Sequence, residues 1–78
     1  MATLDQLKKA DRASIVSLSG DPALVQRLLE LGVMEGEEVE ILAVAPLGDP
    51  IEIRCGNSRL SLRRHDAAGI QVLPVGNQ

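Results

Sequence analysis

This sequence predicts a mainly β domain: a small, strongly bent five-stranded barrel, with one inserted α-helix over about residues 22–31 and a short N-terminal helical turn. Three observations carry that expectation. Much of the chain alternates apolar and polar residues in short runs bounded by Gly, Pro, Asn and Ser, the period-2 signature of half-buried strands. Gly56-Asn57 divides two of those runs with a two-residue hairpin signal. A single stretch, Asp21 to Gly36, instead carries helical spacing with a stop signal at each end. Short strands with one helix among them bury their apolar faces by curling into a barrel better than by lying in an open sheet.

Residues 3–9 carry the N-terminal turn. Thr3 is a capping type, Gln6 its capping-box partner, and Leu4 and Leu7 an apolar pair one turn apart. Lys8 and Lys9 follow at the C-terminal end, where the helix dipole favours positive charge. Ala13 to Leu18 reads as the first strand, with Val16 and Leu18 on one face, and Ser19-Gly20 ends it. Asp21 then caps a helix whose first position is Pro22, where a missing N–H costs nothing. Leu24, Leu28 and Leu31 recur at helical spacing, and Val25 and Leu29 widen the apolar arc. Gly32 supplies a left-handed stop, which lets Val33 fold back on Leu28 in a Schellman motif. Glu35-Gly36 fits the centre of a type II turn, with Gly36 at the position that needs positive φ.

The second strand spans about Glu37 to Ala45, where Val39, Ile41 and Ala43 alternate with Glu38 and Glu40. Leu42 and Val44 break that pattern, so either a bulge shifts the phase or a partner covers the outer face. Pro46 and Pro50 bracket Leu47-Gly48-Asp49 in a stiff loop. Ile51 to Cys55 and Ser58 to Arg63 form the hairpin, and its turn sets the register. Cys55 then faces Ser58, Ile53 faces Leu60 and Ile51 faces Leu62, all on the core side. Arg54 faces Arg59 and Glu52 faces Ser61 on the outside. His65 to Ala68 makes a brief helical turn, Gly69 releases it, Ile70 to Leu73 is the last strand, and Pro74 to Gln78 reads as a frayed tail.

The 78 residues are expected to form one domain, with stability on the order of 5 kcal/mol. The chain has no Phe, Tyr or Trp, which speaks against base-stacking nucleic-acid surfaces and against aromatic grooves for proline-rich peptides. A net charge of -3 lacks the basic excess that phosphate neutralisation needs, so no nucleic-acid partner is expected. The apolar runs are far shorter than the ~20 residues of a membrane span, so no direct membrane insertion is expected. Met1 leads into the polar stretch Thr3 to Lys8, which is not a signal peptide, and the lone Cys55 fits a reducing compartment. A cytoplasmic protein is the expectation.

No nucleophile elbow and no glycine-rich phosphate loop opening a helix is present, so the chain is not read as an enzyme. Cys55 and His65 are its only soft metal ligands. A structural zinc site takes four protein ligands, so they form at most a weak Fe2+ or Zn2+ site completed by carboxylates or a second subunit, and no cofactor is required. A small core cysteine and a solvated turn histidine is the plainer account. Charge is segregated: seven acidic residues and no basic one lie between Arg27 and Arg54, and then Arg59, Arg63 and Arg64 follow. Glu40 and Glu52 can neutralise the Arg54–Arg59 pair, or the arginines can offer a docking face to an acidic partner. A candidate partner site comprises Arg27, Leu29, Glu30 and Met34 around the helix and its turn, with Leu47, Gly48 and Asp49 in the stiff loop. A homo-oligomer joined through Leu42 and Val44 is the remaining option.

Four stretches together resemble the FeoA family of ferrous iron transport proteins: TLDQLKK, VQRLLELGVMEGEEVEI, APLGDPIEIRCG and RLSLRRHDAAGIQV. The likeness runs nearly the full length and rests on the combination, since any one stretch is weak alone. Ala10 departs from it, because the family often has a glycine there, and a local change of turn is expected. The resemblance implies a single SH3-like domain over residues 1–78, acting through protein–protein interaction in transition metal ion transport. Its implied partner is FeoB, a membrane Fe2+ permease with a cytosolic G-protein domain, whose uptake it would modulate. The alternative it implies is a metal-responsive regulatory domain, akin to the SH3-like domains of iron-dependent repressors.

Overall fold

Strands β1 (Ala2–Thr3), β2 (Arg12–Leu18), β3 (Glu38–Val44), β4 (Ile51–Cys55), β5 (Ser58–Leu62) and β6 (Ile70–Pro74) form one antiparallel sheet in the order β1-β6-β2-β3-β4-β5. Helix α1 (Pro22–Glu30) joins β2 to β3, and a short helix α2 (Arg64–Ala67) joins β5 to β6. This computed structural model describes residues 2–75. The class is mainly β, as the alternating runs require. Five strands were expected and a sixth is found, because Ala2 and Thr3 pair with Val72 and Gln71 before the 3₁₀ turn Leu4–Gln6 begins. Two residues are too few to show alternation, so nothing in sequence marks them as a strand. The curl does not close: β1 and β5 are the ends of the sheet and are not paired with each other.

The hairpin register follows from its turn. Ile51↔Leu62, Glu52↔Ser61, Ile53↔Leu60, Arg54↔Arg59 and Cys55↔Ser58 pair as expected, and Gly56 has φ +60°. In β3 the register shifts between Ile41 and Ala43, so Leu42 is the extra residue and Val44 turns back to pack on the core opposite Ile51. The bulge therefore explains the broken alternation, and Val44 drops out of the apolar outer face that suggested a homo-oligomer. A second bulge corrects the expected face of β2. Ala13 and Ile15 are buried; the register shifts between Ile15 and Ser17, which leaves Val16 exposed and brings Leu18 round to pack against the core. Pro74 ends β6 and the Val75 N–H donates to the Arg12 carbonyl at 2.9 Å, so these two residues are held to β2 and not frayed as expected; the rest of that expectation, 76–78, lies outside the described residues.

The core is aliphatic, with Leu4, Ile15, Val33, Val39, Ile41, Ile51, Ile53, Ile70 and Val72 all buried. Each glutamate-bearing outer face lies one residue out of phase with it. Ala10 has φ +78°, so the family departure noted above forces a residue with a Cβ into the left-handed region that glycine occupies without cost. Among the described residues no helix is long and apolar enough to cross a membrane.

Candidate functional site

Helix α1 is sealed as its sequence requires. The Asp21 carboxylate accepts from the Ala23 N–H at 3.0 Å. At the other end the Val33 N–H donates to the Leu28 carbonyl at 2.9 Å and the Gly32 N–H to the Leu29 carbonyl at 3.0 Å, with φ +94° at Gly32. That is the double bond of a Schellman stop. Two side chains from the hairpin then fasten the stop: Ser58 Oγ donates to the Leu31 carbonyl at 2.9 Å and the Cys55 thiol to the Gly32 carbonyl at 3.7 Å. Only Leu28 of the helix is fully buried, while Leu24 and Val25 are half-buried. Leu31, expected on the inner arc, is 42% exposed because it caps the helix after the last turn that lies against the core.

Between α1 and β5 this leaves a groove of about 350 Å³. Leu24, Leu28 and Leu31 line it from the helix, and Leu60, Ser61 and Leu62 from the strand. Arg27, Arg63 and Asp66 supply its charges. Arg63 has one carboxylate near it, Asp49 at 3.9 Å, and its side chain is largely exposed. No ion pair involves Arg27 among the described residues.

The loop between β3 and β4 sits beyond the Arg63 end of the groove and is held there by Arg64. The Arg64 backbone N–H donates to Asp49 Oδ1 at 2.9 Å, which caps the first turn of α2 from a distant part of the chain. Its guanidinium donates to the Gly48 carbonyl at 3.0 Å and to the Asp5 carbonyl in the N-terminal turn. Gly48 has φ +88°, and a Cβ there would come within 3.3 Å of Arg64 Nε. So pinned, the loop holds Leu47 out at 96% exposure.

Of the residues proposed from sequence, the structure places Arg27 in the groove and Leu47, Gly48 and Asp49 at its end. Leu29 (39% exposed) and Glu30, whose carboxylate accepts from the Gln26 amide at 3.2 Å, lie on the helix outside the groove lining. Met34 is 41% exposed and opens the turn in which the Glu37 N–H donates to the Met34 carbonyl at 3.1 Å, with φ +90° at Gly36. The Gly36 N–H donates to the Ile15 carbonyl at 2.9 Å, which sets that turn against β2, and Met34 is not among the residues that line the groove. Sequence reasoning left Leu31 and Leu60 to the core, and offered Arg63 and Arg64 only within a separate arginine docking face. What joins that face to the groove is the position of β5 at the edge of the sheet.

Cys55 is buried, and burial, then the Glu37 carboxylate, push its thiol above the ordinary cysteine range. That disfavours the thiolate a metal requires. His65 is exposed on α2, beyond the opposite end of the hairpin, about 13 Å along the strand from Cys55 at ~3.3 Å per residue. Among the described residues no group of three His, Cys, Asp or Glu is placed to hold a metal ion.

A family model described as the FeoA domain matches residues 2–74. A fusion of Fe(2+) transport protein A with the Fe(2+) transporter FeoB, from Porphyromonas gingivalis, is 39% identical over 69 residues, which are 88% of this chain. The matched segment is 8% of that relative's length. Among solved structures, the FeoA protein of Chlorobium tepidum is 41% identical with a TM-score of 0.91, covering 97% of this chain and 72% of the other. A zinc complex of FeoA from Stenotrophomonas maltophilia, described as an unusual prokaryotic SH3 domain protein, is 33% identical with a TM-score of 0.77, covering 92% of this chain and 89% of the other. The strongly bent sheet is thus the SH3-like fold.

Proposed function

The chain belongs to the FeoA family, and from that premise we propose that it serves ferrous iron uptake without catalysis, by binding the FeoB transporter and modulating it. The observation that carries this reading is the fusion relative, in which a segment like this chain and FeoB share one polypeptide. Tethering of that kind raises the effective concentration of two surfaces that work together, and separate chains then have to meet by affinity. The described residues supply an anchor for such affinity: an apolar groove with two arginines on its rim and a fully exposed leucine on a pinned loop beside it. Arginine is among the residue types in which interface energy concentrates, and the leucines beside it supply apolar surface to be buried.

The test is reciprocal co-purification with the cytosolic regions of FeoB, using the intact chain and its Arg27→Glu and Leu47→Asp variants. Both residues lie at the surface, so folding, followed by far-UV circular dichroism and the melting temperature, stays unchanged while capture falls at least about tenfold. Capture that is undiminished in both variants removes this face from the reading.

A further inference from the structure

We propose that the groove beside β5 accepts an extended segment of the partner, aliphatic at alternate positions and acidic at its ends, which pairs with β5 as an added strand. This deepens the docking reading by naming the chemistry of the segment, and it rests on features independent of the fusion relative.

The first feature is the backbone. A two-residue hairpin makes its flanking residues, Cys55 and Ser58, a hydrogen-bonded pair, and bonded and non-bonded pairs then alternate along an antiparallel ladder. Ser58, Leu60 and Leu62 therefore spend their backbone groups on β4. Arg59 and Ser61 direct theirs to the other side, where β5 has no neighbouring strand. No backbone bond to either is found among the described residues outside the ladder. Such an edge is a template for another chain.

The second feature is what borders that edge. Ser61 itself lines the groove, so a strand laid along it places every other side chain between β5 and α1. There it meets Leu24, Leu28, Leu31, Leu60 and Leu62, which accept aliphatic side chains and offer no polar group to a buried polar one. The third is charge. The chain carries a net -3, yet at this groove Arg27 has no ion pair among the described residues and Arg63 has only the distant Asp49 carboxylate at 3.9 Å, with Asp66 the one carboxylate in the lining. Acidic residues at the ends of the segment complement these two weakly engaged guanidinium groups, and lysines there oppose them. Without aromatic rings the groove has nothing to grip a polyproline helix, which leaves strand addition as the mode that uses the free backbone.

The probe is a synthetic peptide of about nine residues, alternating valine or leucine with threonine and carrying aspartate at both ends, long enough at ~3.3 Å per residue to span β5. Binding to the full chain is followed by fluorescence anisotropy and by amide hydrogen exchange. The key variant is Ser61→Pro: the lost N–H faces away from β4, and the strand before it is already extended as proline demands, so the fold is kept. Saturable binding is expected, with slowed exchange at the Arg59 and Ser61 amides. Affinity should fall at least about fivefold in Ser61→Pro, and about tenfold for a lysine-ended peptide. Equal binding by Ser61→Pro, or by the lysine-ended peptide, overturns the proposal. A chain that captures the transporter but ignores the aspartate-ended peptide refutes strand addition alone; one that binds the peptide but never captures the transporter refutes docking alone.

Discussion

The outer face of β3 and β4 and the groove beside β5 use the same residue types to opposite ends. On the outer face each arginine finds a carboxylate on the next strand: Arg54 Nη2 lies 2.8 Å from Glu40, Arg12 3.4 Å from Glu38 and Arg59 3.5 Å from Glu52. At the groove, Arg27 pairs with nothing among the described residues and Arg63 reaches Asp49 only at 3.9 Å. Within the groove the leucines also divide, since Leu28 is buried at its floor while Leu31 is 42% exposed. Composition does not distinguish the two regions; topology does. A strand with neighbours on both sides has its cross-strand pairs filled by register. An edge strand and a helix with one buried residue keep whatever has no partner within the chain.

Truncation in the two regions should therefore separate stability from binding. Ile53→Ala removes a fully buried side chain at the middle of the hairpin, at a cost of about 2 to 4 kcal/mol, most of what a domain of this size holds. Leu31→Ala, at a largely exposed position, costs well under about 1 kcal/mol yet weakens transporter capture. Urea unfolding gives the first quantity. Alkylation of Cys55 gives an independent check, because a thiol that is both buried and raised in pKa reacts only when the chain opens. Ile53→Ala should label much faster and Leu31→Ala at the parent rate. Equal labelling of the two would collapse the distinction between closed body and open face.

The loop carrying Leu47 tests the boundary between them. Arg64→Ala removes the guanidinium bonds to Gly48 and Asp5 but leaves the backbone bond to Asp49. A loss of about 1 to 1.5 kcal/mol is expected, since these bonds are solvent-exposed. The larger consequence is for capture, because Leu47 is useful as an anchor only if its loop is held before the partner arrives. Arg64→Lys keeps the charge without the planar fork and should recover little of it.

How much of this was legible beforehand divides along the same line. Local signals spoke clearly where their cause is local: Asp21, Pro22 and Gly32 bound α1, Gly36 sets its turn, and Gly56-Asn57 fixed every pair of the β4–β5 register. Phase errors came from bulges, which insert a residue without changing composition; the one at Leu42 shows as broken alternation, but the one at Val16 hides among serines. The candidate site was half readable. Arg27, the Leu47 loop and the arginines after β5 could be named beforehand, whereas Leu60 acquires meaning only once β5 is known to end the sheet. Arg64 reaches Asp5 across 59 residues of sequence, a contact no periodicity encodes.

Ala10 offers the converse experiment, strengthening the body while leaving the groove alone. Its N–H donates to the Ile41 carbonyl at 2.8 Å, so it belongs to the end of the closed face, and its φ of +78° strains a residue with a Cβ. Ala10→Gly should stabilise the chain by about 0.5 to 1 kcal/mol, measured as a raised urea midpoint at unchanged slope. Peptide and transporter binding should not move, and a change in either would mean that the two regions are coupled.

The smallest effect is expected from the best ion pair. Arg54 and Glu40 meet at 2.8 Å, but their side chains are 48% and 33% exposed, so water and salt screen most of the attraction. Glu40→Gln should cost no more than about 0.5 kcal/mol at low ionic strength, and the difference from the parent chain should vanish in high salt. Arg63→Gln is the matched change on the other side. It breaks no short contact, so stability stays put, while binding of an acidic segment loses part of its salt dependence. If Glu40→Gln instead weakened binding and Arg63→Gln weakened the fold, the roles assigned to the two faces would be reversed. The short ion pair would then belong to the interface, and the long one would be holding the loop.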